Sequence, residues 1–153
     1  MKSKIALDLK RDVQELLEKT GYISLQAPEV AEEDGRFFVD VFVDEPRQLI
    51  GEKGKNLNAL QHLVRLIVRK KHGDEIAVDL DINGYKRKRA ELLKDMAYFG
   101  RTRALRENKD IEMEPMTAFD RRIVHSALSE FNDVETESTG EGRERRIVVK
   151  LKK

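Results

Sequence analysis

The sequence predicts an α+β protein built as two small α/β-sandwich domains, and three observations carry that prediction. Apolar residues recur with the helical period of about 3.6 in some segments and alternate with the strand period of 2 in others, so neither an all-helix nor an all-strand fold accounts for the chain. An Asn83-Gly84 pair interrupts the pattern near the middle, directly after a strand and ahead of a long helix. The charge also changes sign there: residues 1–82 hold 13 Lys+Arg against 16 Asp+Glu, and residues 83–153 hold 17 against 13. The 153 residues allow one ordinary domain or two small ones, and the break favours two, 1–82 and 83–153.

Ser3 to Thr20 reads as a helix, because Ile5, Leu9, Val13, Leu16 and Leu17 fall on one stripe. Ser3 is the candidate N-cap and Gly21 the stop. Tyr22 to Ala27 has a short strand pattern, Pro28 to Gly35 reads as an acidic loop, and Arg36 to Val43 as a buried strand. The two strands predict an antiparallel hairpin. Asp44 is placed as the cap of a short helix with Pro46 in its first turn, ending at Ile50. Lys55 to His72 is a strong helix. Its apolar face is Leu57, Leu60, Val64, Ile67 and Val68, widened by Leu63 and Leu66, and Gly73 stops it. Glu75 to Ile82 alternates as a half-exposed strand. The order α-β-β-α-α-β, with a three-stranded sheet, closes at Ile82.

Gly84 to Arg106 is a long helical pattern with Leu92, Leu93, Met96, Phe99 and Ala104 as its apolar side. Eight basic residues lie on it, which is either a solvated face or an electrostatic footprint for a polyanion. Gly100 in mid-helix implies close packing. Lys109 to Met113 is a short strand, and Thr117 caps a helix from Ala118 to Phe131 whose apolar face is Phe119, Ile123, Ala127 and Leu128. Val134–Ser138 and Glu144–Leu151 form a hairpin. This second half is α-β-α-β-β.

Several classes of chemistry have no support in the residues. There is no cysteine, so disulfides and thiolate metal sites are out. No apolar run reaches the ~18 residues of a membrane span, and the N-terminus has no secretory apolar region. A cytoplasmic protein without membrane insertion is expected. His62, His72 and His125 are scattered without metal-ligand spacing, so no metal or other cofactor is expected. The Gly51, Gly54, Lys55 spacing is wrong for a nucleotide-phosphate loop, and Asn56 stands where Ser or Thr would hold magnesium. No catalytic residues are assigned, and an enzyme is not expected.

Two motifs bear on binding. Ile50-Gly51-Glu52-Lys53-Gly54-Lys55 places two glycines three apart between two helices. Such a corner admits another backbone closely and aims unpaired N–H groups outward, which suits a phosphodiester. Taken alone, the same pattern also describes a plain tight turn. Arg121 and His125, four apart, share one helix face. Aromatic residues are only 6%, and none flanks the glycine corner in sequence, so no stacking platform is expected there.

The stretch through Ile82, with its glycine corner, resembles a KH domain of the bacterial topology. That resemblance implies single-stranded RNA held by Ile50, Gly51, Glu52, Lys53, Gly54 and Lys55, with Asn58 and Gln61 on the wall of a base-binding groove. Glu114-Pro115-Met116 followed by Phe119 to His125 looks like the Arg-x-x-x-His single-stranded nucleic-acid-binding domain. It implies contacts from Arg121, Arg122 and His125, with Arg145, Arg146 and Lys150 nearby. The two together, with Leu80 to Tyr85 and Thr136 to Gly142, resemble the Jag family of bacterial proteins associated with the stage III J sporulation protein. The family implies an RNA-binding, post-transcriptional role linked to cell elongation, division or sporulation. It also implies a small KH-domain protein partner or self-association; binding of single-stranded DNA and a role as a protein-interaction adaptor stay open. Glu52 departs from the basic residue usual in that loop, and Gly54→Asp is expected to weaken RNA binding without unfolding the chain.

Overall fold

The computed structural model describes residues 2–152, Lys2 and Ser3 by backbone alone. It divides into two compact units, 1–86 and 87–153, each with its own apolar core.

Unit 1 runs α1 (Lys2–Lys19), β1 (Glu29–Glu33), β2 (Arg36–Val41), α2 (Pro46–Ile50), a 3-10 turn (Glu52–Gly54), α3 (Lys55–His72) and β3 (Ala77–Ile82). The sheet order is β1-β2-β3, with β1 antiparallel and β3 parallel to β2. Ile5, Leu9, Val13 and Leu17 of α1 and Leu57, Leu60, Val64 and Val68 of α3 bury against one sheet face. That face carries Phe37, Val39, Val41, Val78, Leu80 and Ile82, the inward half of a period-2 alternation.

The hairpin lies elsewhere than expected. Tyr22 to Ala27 is not a strand; it touches Val43 through an isolated bridge at Ser24. The expected acidic loop instead supplies β1, and Asp34 and Gly35, both at positive φ, make a two-residue turn into β2. Asp-Gly is a strong hairpin signal that outweighs the low strand propensity of Glu29, Glu32 and Glu33. Glutamates suit an edge strand, where charge discourages pairing with another chain. Two smaller corrections concern helix starts. α1 includes Lys2, so Ser3 is not its cap. The residue capping α2 is Glu45, not Asp44, because Pro46 with its fixed φ sets the first helical position.

The other edge, β3, is closed by side chains of α3. Leu80 N–H donates to Gln61 Oε1 (3.0 Å), and Arg65 Nε donates to the Val78 carbonyl (2.9 Å). Asn83 extends the sheet: its side chain exchanges both hydrogen bonds with the Val43 backbone at 3.0 Å. Asp40 sits opposite both Glu29 and Asp81 on the outer face. Burial first, then the Asp81 charge, raises its pKa above the usual carboxylate value.

Unit 2 is built from α4 (Tyr85–Glu107), which starts within unit 1, then β4 (Ile111–Glu112), α5 (Ala118–Leu128), β5 (Val134–Thr139), a 3-10 turn (Gly142–Glu144) and β6 (Arg146–Leu151). The antiparallel sheet has the order β4-β6-β5. Leu93, Ala97, Gly100 and Ala104 form the buried stripe of α4, while Leu92 and Phe99, expected inside, are exposed. Small residues do not read as an apolar stripe, yet they let α4 lie close to β6. A similar rotation affects α3, where Leu63 and Leu66 are exposed, and α5, where Asp120, Val124, Ala127 and Leu128 are buried and Phe119 is exposed. A methyl added at Gly100 would stand an ordinary 3.6 Å from Val149 Cγ2. Gly100→Ala is therefore expected to stabilise unit 2 by roughly 0.5–1 kcal/mol, read as a higher urea midpoint.

Candidate nucleic-acid interface

The glycine corner is fixed by local stereochemistry. Gly51 ends α2, its N–H donating to the Arg47 carbonyl (2.9 Å), with φ 72° and ψ 176°, a conformation essentially reserved for glycine. Gly54 has φ 80° and donates to the Gly51 carbonyl (3.2 Å). A Cβ at Gly51 would meet Asn56, whose amide donates to the Gln48 carbonyl (2.6 Å). A Cβ at Gly54 would lie 2.9 Å from the Tyr85 ring. The fold therefore requires both glycines, and their presence is explained without a ligand.

Glu52 and Lys55 are exposed and pair with each other at 3.1 Å, which removes much of the corner's positive charge. Lys53 and Ile50 are half-buried, and Asn58 is exposed. Gln61, expected on the open groove wall, is engaged instead: besides Leu80 it accepts from Lys86 Nζ. Tyr85 is the aromatic that sequence reasoning missed. It is 31 residues beyond Gly54 in the chain and reaches the corner because the Asn83-Gly84 turn brings the start of α4 there.

The basic helix is largely compensated. Lys86 pairs with Asp79, Arg89 with Asp120 (2.8 Å), Arg101 in a fork with Asp133, and Arg103 and Arg106 with Glu107. Hydrogen bonds from Lys109 and then Arg103 hold the pKa of the Glu107 carboxyl at about 2. Only Arg87, Lys88 and Lys94 of the eight have no carboxylate partner among the described residues. This helix is therefore mainly a solvated, self-paired face rather than the phosphate track its composition allowed.

α5 presents a different picture. Thr117 caps it, its Oγ1 accepting from Asp120 N–H (3.2 Å). The buried Asp120 side chain faces Arg89, which fixes the helix against α4. Arg121, Arg122 and His125 then lie on the outer side, half-buried or exposed. Arg121 Nη1 donates to the Met116 carbonyl (2.9 Å), and His125 Nδ1 lies 2.5 Å from Thr136 Oγ1 on β5. None of the three pairs with a carboxylate among the described residues. Arg146 and Lys150, by contrast, are bound to Glu112 and Glu144 and to Glu137. The hydrogen bond with Glu137 raises the Lys150 pKa. Uncompensated guanidinium and imidazole groups on one helix face can donate to phosphate oxygens. No group of three metal-ligating side chains comes together among the described residues.

The comparisons with known proteins bear on this helix. Residues 91–151 match the family model of the Arg-x-x-x-His domain. The matched segment includes α5, β5 and β6 and most of α4. The chain is also 37% identical over 110 residues to the RNA-binding protein KhpB of Clostridium symbiosum, covering 72% of this chain and 50% of the relative. It is 36% identical over 107 residues to the RNA-binding protein KhpB of Bacillus subtilis, covering 69% and 51%. For the Streptococcus pneumoniae protein of the same name, identity is 32% over 111 residues, covering 72% and 34%. The chain thus spans about half the length of the first two relatives. A match of 110 residues is longer than unit 2, so the similarity extends beyond the Arg-x-x-x-His segment into unit 1. No helix among the described residues is long and apolar enough to cross a membrane.

Proposed function

We propose that this chain is a non-enzymatic binder of single-stranded RNA of the Jag family, with a KH domain at 1–82 followed by an Arg-x-x-x-His domain at 83–153. The observation that carries the reading is the trio Arg121, Arg122 and His125. They stand on one helix without carboxylate partners among the described residues, inside the segment that matches the Arg-x-x-x-His family model. The α-β-β-α-α-β order of unit 1, with its glycine corner between two helices, supports the KH assignment. Phosphate contacts give the affinity and make it salt-dependent. Ile50 to Lys55 and Asn58 contribute a weaker surface, because Glu52 offsets Lys55. A role in post-transcriptional regulation in a bacterial cytoplasm, tied to elongation, division or sporulation, follows from the family.

The test is fluorescence anisotropy of the full chain with labelled single-stranded RNA, single-stranded DNA and duplex RNA. Micromolar or tighter binding of the single strands, and of RNA before DNA, is the expected result; preference for duplex, or no binding, overturns the reading. In the same assay Glu52→Gln is expected to tighten RNA binding roughly two- to fivefold. It frees Lys55 from a surface pair worth under ~1 kcal/mol. Unchanged affinity would remove the glycine corner from the binding surface.

A second reading, a protein-interaction module, is favoured by one observation. Leu7, Ile23 and Leu25 are large apolar side chains exposed on unit 1. Light scattering with and without RNA separates the two readings, since self-association through this face does not need RNA.

A further inference from the structure

We propose that β5 is the template of the α5 binding surface: Thr136 and Ser138 are positioning residues for His125 and Arg145, and Arg145 is a further phosphate-binding cation. This rests on the single-strand-binding reading above and names residues that complete its site.

Thr136 and Ser138 are two apart on β5, so their side chains point to the same face, about 7 Å apart along the strand. Val134 shares that face and is buried in the core, which makes it the side covered by α5. Each hydroxyl holds one nitrogen base or cation. Thr136 Oγ1 lies 2.5 Å from His125 Nδ1, and Arg145 Nε donates to Ser138 Oγ at 2.9 Å. One residue ties the far end of this row to Arg121. The Met116 carbonyl accepts from the Arg121 guanidinium (2.9 Å), while the Met116 N–H donates to the Arg145 carbonyl (3.0 Å).

The partners are neutral, and that is the telling feature. Among the cations of the β5–β6 hairpin, Arg146 and Lys150 are neutralised by glutamates. Arg145 is held by a hydroxyl, so its charge stays available while its direction is fixed. The same holds for His125. With the Thr136 hydroxyl donating to Nδ1, the ring proton resides on Nε2, where it faces outward as a donor. His125, Arg121 and Arg145 then present N–H donors in a row, on the scale of successive phosphates of an extended strand.

The experiment measures the full chain with labelled single-stranded RNA across a range of potassium chloride concentrations. Arg145→Ala is expected to lower the slope of log affinity against log salt by about 0.7, the signature of one lost phosphate contact to a single strand. Arg146→Ala, a loss of the neighbouring but neutralised charge, is expected to change it by less than half as much. Nitrogen-15 spectra of His125 are expected to report the Nε2–H tautomer in wild type and in Thr136→Ser. In Thr136→Val they are expected to report a mixture, with a several-fold loss of affinity that Thr136→Ser does not show. An unchanged slope in Arg145→Ala where Arg121→Ala lowers it, or a tautomer and affinity indifferent to Thr136→Val, overturns this inference alone. Wild-type binding that ignores salt overturns the reading beneath it as well.

Discussion

Asp120→Ala is expected to cost roughly 3–5 kcal/mol and to unfold unit 2. Asp120 is 1% exposed, yet it carries a charge. Its partner Arg89, 2.8 Å away, is itself mostly buried. Alanine would leave that guanidinium in an apolar setting without a counter-charge, which is the expensive half of breaking a buried pair. The same change leaves the Thr117 cap of α5 in place, because that bond uses the backbone N–H of residue 120. The loss therefore measures the ion pair rather than the cap. A domain of this size rarely holds more than ~3–5 kcal/mol in its core, so the expected cost is most of its stability. Amide exchange on the full chain checks it: protection should collapse at α5 and β6 and persist at β2 and β3. The double change Asp120→Leu with Arg89→Met should recover most of the loss, since a buried pair often yields to well-packed apolar groups. Normal protection in Asp120→Ala would mean that Arg89 reaches water more easily than its burial implies.

Gly54→Asp is expected to destabilise unit 1 by about 1–3 kcal/mol through backbone strain and overpacking. The new Cβ would stand 2.9 Å from the Tyr85 ring at a φ of 80°. Aspartate tolerates this left-handed conformation better than most residues, so the displaced ring supplies much of the cost. The sequence alone implies that this change weakens RNA binding and nothing else, and the packing of Tyr85 corrects that. A urea melt followed by unit 1 signals tests it. An unaltered midpoint would show that Tyr85 swings away freely and that the corner is open after all. Glu52→Gln is the cleaner probe of the same loop, because Glu52 and Lys55 are both exposed.

Much of the fold is legible in the chain because it follows from periodicity. α3 has the bounds its capping glycine and apolar stripe imply, and β3 alternates as its residues do. Thr117 caps α5 as its position before the helix suggests. The misreadings have specific physical causes. β1 is hidden because an edge strand keeps its glutamates in water, and the Asp34-Gly35 turn is the signal that reveals it. The buried face of α4 is hidden because alanine and glycine do their packing by being small. Asp120 is hidden because a buried carboxylate is legible only through Arg89, a residue 31 positions away. For the candidate site, the Arg121 and His125 spacing is readable along one helix. Its hydroxyl partners on β5 are not, since they meet that helix only through the sheet.

The binding proposal stands or falls with the uncompensated donors on α5 and their grip on the phosphate strand of single-stranded RNA. The decisive experiment is the salt dependence of RNA affinity for the full chain, wild type against Arg121→Ala. Wild-type affinity should fall steeply as salt rises, and Arg121→Ala should bind several-fold more weakly with a slope shallower by about 0.7. Two curves that coincide, or a wild-type curve that stays flat, would contradict it.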